Sequence, residues 1–233
     1  FMTDNTTACR RQRQLCIRYR SISCSQPRVA RLMRANGIAA KTQRKFKATT
    51  NSNHTLPVAA DLVGQAFGVD GQNKLWVGDI TYIDTDEGWL YLAKVMDAYN
   101  REIIGWAVDK RMTKDLVIKA MDRAIRKRRP TQSPIFHSDR GSQYASYAFR
   151  RLLVNNHIRQ SMSGKGNCYD NAMAESFFKT LKTELIYQNK YQSRQEAKQD
   201  IFEYIEVFYN RQRLHSALGY KTPVEYGELQ DVA

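Results

Sequence analysis

The chain has 233 residues, 42% of them hydrophobic, and a formal net charge of +14. This length is enough for one sizeable hydrophobic core and a small appendage. No apolar run approaches the roughly 18 residues that span a bilayer, and no secretory signal is visible, so the composition excludes a transmembrane protein and predicts a soluble, cytoplasmic one.

The positive charge is concentrated in residues 1–60. This segment holds twelve Lys or Arg and one acid, a net charge of +11. Such an arm predicts a DNA-contacting segment ahead of a catalytic domain. Within it, PRVARLMRANG predicts a short helix that stops at Gly37, with Arg28, Arg31 and Arg34 as candidate DNA contacts. The alternative is a solvated, partly disordered tail, since residues 48–57 have the composition of a linker.

Three strand-like segments open the second region of the chain. Apolar runs at 74–83, 89–97 and 102–109 are separated by the turn-like DEG and by the AYNR connection. Apolar runs joined by turn residues predict an antiparallel meander of three strands.

Helices and strands then alternate. The segment from Thr113 to Arg129 carries apolar residues at helical intervals and stops at Pro130. There follow a strand at PIFHS, a helix from Ser146 to Asn155, a strand at HIRQSM, a helix around Glu175 and an amphipathic helix from Ser193 to Asn210. This order predicts an α/β fold, a mixed sheet covered by helices, over residues 61–227, with 228–233 as a tail.

Three acidic residues are distinguished by their context. Asp79 lies in the strand-like KLWVGDITYI, and Asp139 follows the apolar PIFHS and precedes a glycine turn. Strand ends of this kind commonly hold functional side chains. Glu175 lies 36 positions after Asp139, but Asp170 and Glu206 have the same spacing, so the context decides rather than the spacing.

Helical geometry supports Glu175. The apolar residues between Asp170 and Leu185 group on one face of a helix, and Glu175, Lys179 and Lys182 fall on another. At offsets of 0, 4 and 7 these three side chains form one stripe, so we expect them to face the same partner. Asp170 stands where the helix begins and is interpreted as its N-cap.

Three carboxylates on separate elements of a basic chain predict a divalent-metal site for phosphate chemistry. Mg²⁺ prefers hard oxygen ligands, and crowded acids repel one another unless a metal is present. Two such ions about 4 Å apart assist an in-line displacement at phosphorus. For any single acid the alternative is a solvated surface residue or a helix cap.

Several motifs together resemble a known family. They are WVGDITYI, KVMDAYNREIIGWAV, IFHSDRGSQYAS, SMSGKGNCYDNAMAESFFKTLKTEL and YNRQRLHSALGYKTPVEY. In this order they resemble the catalytic region of bacterial insertion-sequence transposases of the IS-three group, within the retroviral-integrase superfamily. The resemblance covers about residues 70 to 227.

The resemblance implies a ribonuclease H-like fold with a five-stranded mixed sheet. It places Asp79, Asp139 and Glu175 at the acidic triad of the family, as catalytic residues and metal ligands, and Lys179 and Lys182 at its DNA-facing positions. The implied activity is cleavage of DNA at the ends of an insertion sequence and transfer to another strand, with Mg²⁺ or, as a substitute, Mn²⁺. The implied partners are terminal inverted repeats, target DNA, an upstream helix-turn-helix protein and further copies of the chain, at least as a dimer.

Two other functions stay open at this point. One is an idle DNA-binding remnant that represses or competes with an active transposase. In its favour, residues 1–25 lack the periodicity expected in the family before PRVARLM, which predicts a truncated or frame-shifted end. The other is a nuclease that cleaves the RNA of RNA–DNA hybrids, because the fold is shared and fold does not settle function.

The remaining polar motifs allow a structural and a functional interpretation. Lys165, between Gly164 and Gly166, is a candidate phosphate contact in a flexible loop. His137 is expected to hydrogen-bond locally rather than act as a base. Turn formation is the expected role of Asp97 and Asp109.

Two further features of the sequence are a polar cluster after the last predicted helix and four cysteines. Asn210, Arg211, Arg213, His215 and Tyr220 form a polar cluster that contacts DNA or caps the fold. The four cysteines lack the close pairs of a zinc site and should stay reduced in the cytosol.

Overall fold

A five-stranded mixed sheet organises the part of the chain that the computed structural model describes, residues 25–37, 55–64, 66–164 and 172–229. Its strands are β1 (Leu75–Ile83), β2 (Leu90–Asp97), β3 (Ile103–Asp109), β4 (Ile135–Ser138) and β5 (Arg159–Met162). Their spatial order is β3-β2-β1-β4-β5. The first three strands form the predicted antiparallel meander, whereas β4 runs parallel to β1 and β5 parallel to β4.

Helices flank this sheet, and those that the sequence predicted begin close to the expected positions, while the short helices Ser142–Ala145 and Pro223–Glu228 were not predicted. They are α1 (Gln26–Ala35), α2 (Lys114–Arg128), α3 (Ser142–Ala145), α4 (Tyr147–Asn155), α5 (Ala172–Glu184), α6 (Arg194–Phe202) and α7 (Pro223–Glu228). Ser146 and Ser193 cap α4 and α6, because each side chain accepts a backbone N–H from the first turn. The helix that α6 begins continues as a π-helical segment, Glu203–Tyr209. Short 3₁₀ turns lie at Ile186–Gln188 and Ser216–Leu218.

The sheet separates two hydrophobic clusters. Alternate residues of β1 point to opposite faces, so Val77 joins one cluster and Trp76 the other. The Val77 cluster packs against α5 and the long helix that begins with α6, and it includes Phe177, Leu181 and Ile205. Full burial of a side chain such as Phe177 contributes about 2 kcal/mol, so this face holds α5 against the sheet.

The second cluster fixes α2 on β3 and β2. At Gly105 of β3 the two elements come so close that an added Cβ would lie 2.3 Å from the backbone oxygen of Ala120. Glycine at this strand position therefore lets α2 approach the sheet more closely than any other residue allows.

The polar cluster after the long helix caps the fold at three of its members. Asn210 is buried, and its side chain accepts the N–H of Ile103 at 2.9 Å and donates to the Ile103 carbonyl at 3.0 Å. Nε and Nη2 of Arg213 donate hydrogen bonds of 3.0 to 3.2 Å to the carboxylate of Glu184, at the end of α5. His215 packs edge-on against Tyr209, with ring centroids 5.0 Å apart. Of the two interpretations, capping is the one that these contacts support.

Within the described ranges, none of the helices is both long and apolar enough to cross a membrane.

Candidate active site

Asp79 and Asp139 lie at equivalent points along two neighbouring parallel strands. The pairing of β1 with β4 ends at Val77 opposite His137. Each acid follows its paired residue by two positions, so both lie just past the end of the β1–β4 pairing. Asp139 directly follows β4, at the carboxyl end of a strand, where ligands of α/β sheets are commonly bound. Asp79 lies in the middle of β1 and stays paired with β2, so the prediction that it stands at a strand end is wrong: β1 continues past the point where β4 ends.

Gly78 makes room for the aromatic side chains beside Asp79. A Cβ added at Gly78 would lie 2.3 Å from a ring carbon of Phe136 and 3.4 Å from the hydroxyl of Tyr144. The absence of a side chain at this position lets Phe136 pack directly against β1. The backbone that carries Asp79 is therefore supported from the side of β4.

The electrostatic environment of Asp79 joins it to both other candidate acids. Burial, followed by the Asp139 carboxylate, raises the pKa of Asp79 to about 7, and Glu175 acts in the same direction. The Lys94 ammonium and the N–H of Ile80, which donates to Oδ1 of Asp79 at 2.8 Å, oppose this rise in pKa. The structure thus brings Asp139 and Glu175 within electrostatic reach of Asp79.

Lys94 is a buried cation whose charge acts on Asp79, and the sequence interpretation missed it. The β1–β2 register places it directly opposite Asp79, and only 1% of its surface is exposed. Among the described residues its Nζ has no hydrogen-bond partner, and it lies 5.7 Å from the ring centroids of Phe177 and Phe178. Burial lowers the pKa of Lys94 to about 7 against the opposing effect of Asp79. A lysine within the apolar run LYLAKVMD was the available signal.

Tyr144 is a second residue that the sequence interpretation missed. Its hydroxyl is buried and has no hydrogen-bond partner in the described part of the chain. Burial, together with the charges of Asp79 and Asp139, raises the pKa of Tyr144 well above its usual value. The residue is therefore neutral, with an O–H group that both carboxylates influence.

The predicted stripe on α5 divides into an outer and an inner part. Glu175 and Lys179 are exposed on the helix surface, and partial desolvation raises the pKa of Glu175. Lys182 is buried, and its Nζ lies 4.6 Å from the ring centroid of Tyr82. Burial lowers the pKa of Lys182 and the Asp79 carboxylate acts to raise it, so this ammonium faces the acids.

Comparison with known proteins identifies the family. The integrase core domain family matches residues 70–168, and a second integrase core domain family matches residues 175–230. Transposase InsF for insertion sequence IS3A, from Escherichia coli (strain K12), is 44% identical over 198 residues, which cover 85% of this chain and 69% of that protein. The chain belongs to the insertion-sequence transposase family. An uncharacterized 31 kDa protein of insertion element IS600 from Shigella sonnei is 49% identical over 207 residues, or 89% of this chain and 76% of that protein.

Solved structures of retroviral integrases share the fold of this transposase family member. The catalytic core of HTLV-2 integrase in complex with magnesium aligns with a TM-score of 0.52 at 17% identity, covering 69% of this chain and 99% of that one. The simian T-cell lymphotropic virus intasome aligns with a TM-score of 0.56 at 18% identity, covering 91% of this chain and 73% of that one. The ribonuclease H-like fold predicted from the sequence is confirmed.

The other candidate DNA contacts and the predicted N-cap lie on α1 or outside the described residues. Arg28, Arg31 and Arg34 are exposed on α1, which forms as predicted. Lys165 and Asp170 lie outside the described residues.

The predicted local roles of three side chains agree with their contacts. Nδ1 of His137 lies 2.9 Å from the hydroxyl of Ser161. Asp97 accepts the N–H of Tyr99 at 3.0 Å, and Asp109 accepts the N–H of Arg111 at 3.2 Å, as turn-forming carboxylates do.

The donor set around Asp79 suits a hard divalent cation. It consists of carboxylate oxygens alone. Besides burial, repulsion by the Asp139 and Glu175 carboxylates raises the pKa of Asp79, and a bound cation would offset that repulsion. Within the described residues, however, no three His, Cys, Asp or Glu side chains stand close enough together to hold a metal ion. The side chains are of the right chemistry, and their approach to one another is not that of a preformed metal cage.

Proposed function

We propose that this chain is a DNA transposase that cleaves strands at the ends of an insertion sequence and joins them to another DNA strand. The observation that carries the proposal is the joint action of Asp139 and Glu175 on Asp79, in a chain 44% identical to a named IS3 transposase. The same similarity to transposases favours an active enzyme over an idle DNA-binding remnant.

Asp79, Asp139 and Glu175 are the proposed ligands of Mg²⁺, for which Mn²⁺ can substitute. When bound, a divalent ion at this position supplies charge for the scissile phosphate and lowers the pKa of an attacking water or 3′-hydroxyl. The three carboxylates are proposed as an Asp-Asp-Glu catalytic set, and their contribution is to bring negative charge to the neighbourhood of Asp79.

Three neutral or cationic groups support this arrangement. Lys94 on β2 and Lys182 on α5 both bring positive charge to Asp79, which limits the repulsion among the acids. Tyr144 carries a buried O–H that has no hydrogen-bond partner among the described residues and that the charges of Asp79 and Asp139 influence, and it is available to donate to a phosphate oxygen or to an attacking water. None of these groups needs to become a base for the proposed chemistry.

DNA is the proposed substrate and partner. The net charge of +14 and the exposed Arg28, Arg31 and Arg34 of α1 favour contacts with phosphates, which position a nucleic acid without reading its sequence. Lys179 and Lys165 are proposed to extend these contacts along the region of α5. We further propose residues 1–60 as a DNA-contacting arm, 61–227 as the catalytic core and 228–233 as a tail.

The proposed assembly contains at least two copies of the chain, because two ends of an insertion sequence must be held together. A solved neighbour of this fold is an intasome. An upstream helix-turn-helix protein is the further partner proposed from the family resemblance.

Strand cleavage by Glu175→Gln tests the proposal. The variant should lose cleavage and transfer of an element-end duplex in Mg²⁺ while it keeps DNA affinity, since the substitution removes a charge and preserves size. Glu228→Gln, an exposed carboxylate on α7, is the matched control and should retain full activity. Full activity of Glu175→Gln would refute the assignment. Cleavage of an unrelated DNA duplex and of an RNA–DNA hybrid is measured in parallel. A transposase should prefer the element-end duplex, and a hybrid-cleaving nuclease should prefer the hybrid.

A further inference from the structure

A segment ahead of β1 wraps round the outer edge of the sheet at β5. We call residues 56–64 the strap. Leu56 and Ala59 pack against the hydrophobic cluster on the α2 side of the sheet, whereas Val63 is buried in the cluster on the α5 side. The strap therefore crosses from one face of the sheet to the other and contacts both cores.

Hydrogen bonds attach the strap to β5. The N–H of Met162 donates to the Ala60 carbonyl at 3.4 Å, and Sδ of Met162 accepts the N–H of Ala59 at 3.4 Å. The hydroxyl of Ser161 accepts the N–H of Leu62 at 2.9 Å. An edge strand offers such groups to any passing chain, and at β5 the strap occupies them.

Asp61 shapes the turn within the strap and faces two strands. Its Oδ1 accepts the N–H of Val63 at 2.9 Å and the N–H of Gly64 at 3.1 Å. The same oxygen lies 3.5 Å from the hydroxyl of Ser161 on β5 and 3.9 Å from Nδ1 of His137 on β4. Asp61 thus connects the turn to the strand that ends at Asp139.

The strap crosses the edge of the sheet at the level of the acids. Met162, which is bonded to Ala60, is paired with Ser138, the residue before Asp139. Ala60 therefore lies two strand spacings, about 10 Å, from β4. The proposed DNA-contacting arm, residues 1–60, ends within the strap, so the arm joins the core beside the candidate active site.

The docked strap removes a large positional freedom. If the nine residues 56–64 left the sheet, they would span about 17 Å as a flexible chain. That distance corresponds to about five nucleotides at 3.4 Å each along a DNA strand. A DNA held by the arm would then meet the acids at a range of positions instead of one.

We propose that the strap determines which phosphodiester reaches Asp79 and Asp139, because it holds the DNA-contacting arm at a constant distance from them. Asp61 is the positioning residue, which acts through the turn that it closes and not on the reacting atoms. This inference rests on the proposed function, since it assigns one DNA molecule to both the arm and the core.

Amide hydrogen exchange of the full chain in EDTA measures the docking of the strap without DNA. The N–H groups of Leu62, Val63 and Gly64 should be protected in the parent. In Asp61→Ala combined with Ser161→Ala, which removes their acceptors, they should exchange at least about tenfold faster. Asp61→Asn keeps an oxygen acceptor and should retain the protection of Val63 and Gly64. Unprotected amides in the parent, or protection that survives in the double variant, would overturn the proposal.

The position of cleavage tests the role itself. On an end-labelled element-end duplex in Mg²⁺, the parent and Asp61→Asn should cut at one phosphodiester. The double variant should spread its cuts over about five neighbouring nucleotides, because its acids are unchanged and only the arm is released. Asp70→Ala, at an exposed acid between the strap and β1, is the matched control and should cut as the parent does. A single, unshifted cut by a double variant whose strap amides exchange rapidly would overturn the proposal.

An insertion that leaves the strap intact gives an independent check. Gly-Ser-Gly placed after Gly68 lengthens the connection between the strap and β1, at a position where an added Cβ meets nothing within 4 Å. The cut should stay at one position, because the strap and not the length of the chain holds the arm. Scattered cuts in this variant would overturn the proposal. A parent that cuts no element end would instead refute the transposase function, and the positioning role with it, whereas sharp cutting by the released variant refutes the positioning role alone.

Discussion

Asp79 and Lys94 face each other directly across β1 and β2, and each has a pKa of about 7. The two shifts have a common cause, since burial disfavours the charged form of either group. Asp139, Glu175 and Lys182 also act on or respond to Asp79, so the pair belongs to a cluster of five charges. A buried pair of this kind is weak evidence for stability, because desolvation offsets the attraction between the charges.

The first prediction is that Asp79→Asn combined with Lys94→Met stabilises the metal-free protein. At pH 7 the free energy of unfolding should rise by on the order of 1 to 4 kcal/mol, as expected when a buried ion pair is replaced by neutral groups of similar size. Urea denaturation in EDTA measures the change. A double variant less stable than the parent at pH 7 would contradict the prediction.

The pH dependence of this gain follows from the direction of the two shifts. The pKa of Asp79 is raised from 3.8 to about 7, so its unfavourable effect develops as the pH rises through that interval. The pKa of Lys94 is lowered from 10.5 to about 7, so its unfavourable effect develops as the pH falls from 10.5. Both effects are large together only near pH 7, and the gain should therefore be smaller at pH 4 and at pH 10.

A second prediction separates activity from stability at Tyr144. Tyr144→Phe removes a buried hydroxyl without a partner among the described residues, so the free energy of unfolding should rise by about 1 kcal/mol. Because that hydroxyl is proposed to donate to the substrate, strand cleavage should slow by at least about tenfold, and an unchanged cleavage rate would contradict the role. Single-turnover cleavage and urea denaturation measure the two effects. Tyr147→Phe, on the exposed surface of α4, should change neither.

The fold was largely predictable because its elements carry local periodic signals. Apolar runs bounded by turn residues gave the strands around Trp76 and Leu92 to within one residue, and Ser146 and Ser193 marked the starts of two helices. The position of Asp139 was also accessible, because it follows a short apolar strand at its carboxyl end. That Asp79 stands level with it in the middle of β1 depends on the β1–β4 register, which the sequence does not reveal.

The parts that could not be predicted depend on long-range packing. Lys94 joins the site only through the β1–β2 register. A lysine in an apolar run is unusual, but the run does not show which residue that lysine faces. Lys182 is buried rather than solvated because Tyr82 covers it, and a helical stripe does not specify what faces it. The π-helical turns of Glu203–Tyr209 continue an ordinary helical periodicity, so their different hydrogen bonding is set by tertiary contacts.

The third prediction concerns the glycine beside Asp79. Gly78→Ala forces the Phe136 ring to move, because the new methyl would lie 2.3 Å from it, and should lower the free energy of unfolding by about 1 to 3 kcal/mol. Since the moved ring also displaces the strand that carries Asp79, cleavage should fall by more than the folded fraction explains. Thermal unfolding and a cleavage assay normalised to folded protein measure both. Gly68→Ala is the control, because its added Cβ meets nothing within 4 Å.

The last prediction uses the buried histidine of the C-terminal cap. Burial, reinforced by the positive charges of Arg213 and Arg101, lowers the pKa of His215 to about 3 from 6.5. The folded state therefore binds this proton less readily than the unfolded state, so the contribution to stability is complete above pH 6.5 and is lost as the pH falls toward 3.

Replacing His215 by Asn should remove that part of the pH dependence. Between pH 7 and pH 4.5 the parent should lose about 2 to 3 kcal/mol more free energy of unfolding than His215→Asn, because one group with a pKa two units above the lower pH titrates only in the unfolded state. Urea denaturation at the two pH values gives the difference directly. His157→Asn, at an exposed histidine on the turn after α4, is the control and should keep the parental loss. Equal losses in the parent and in His215→Asn would show that the imidazole is protonated in the folded protein, and the packing of His215 against Tyr209 beside Arg213 would then need another explanation.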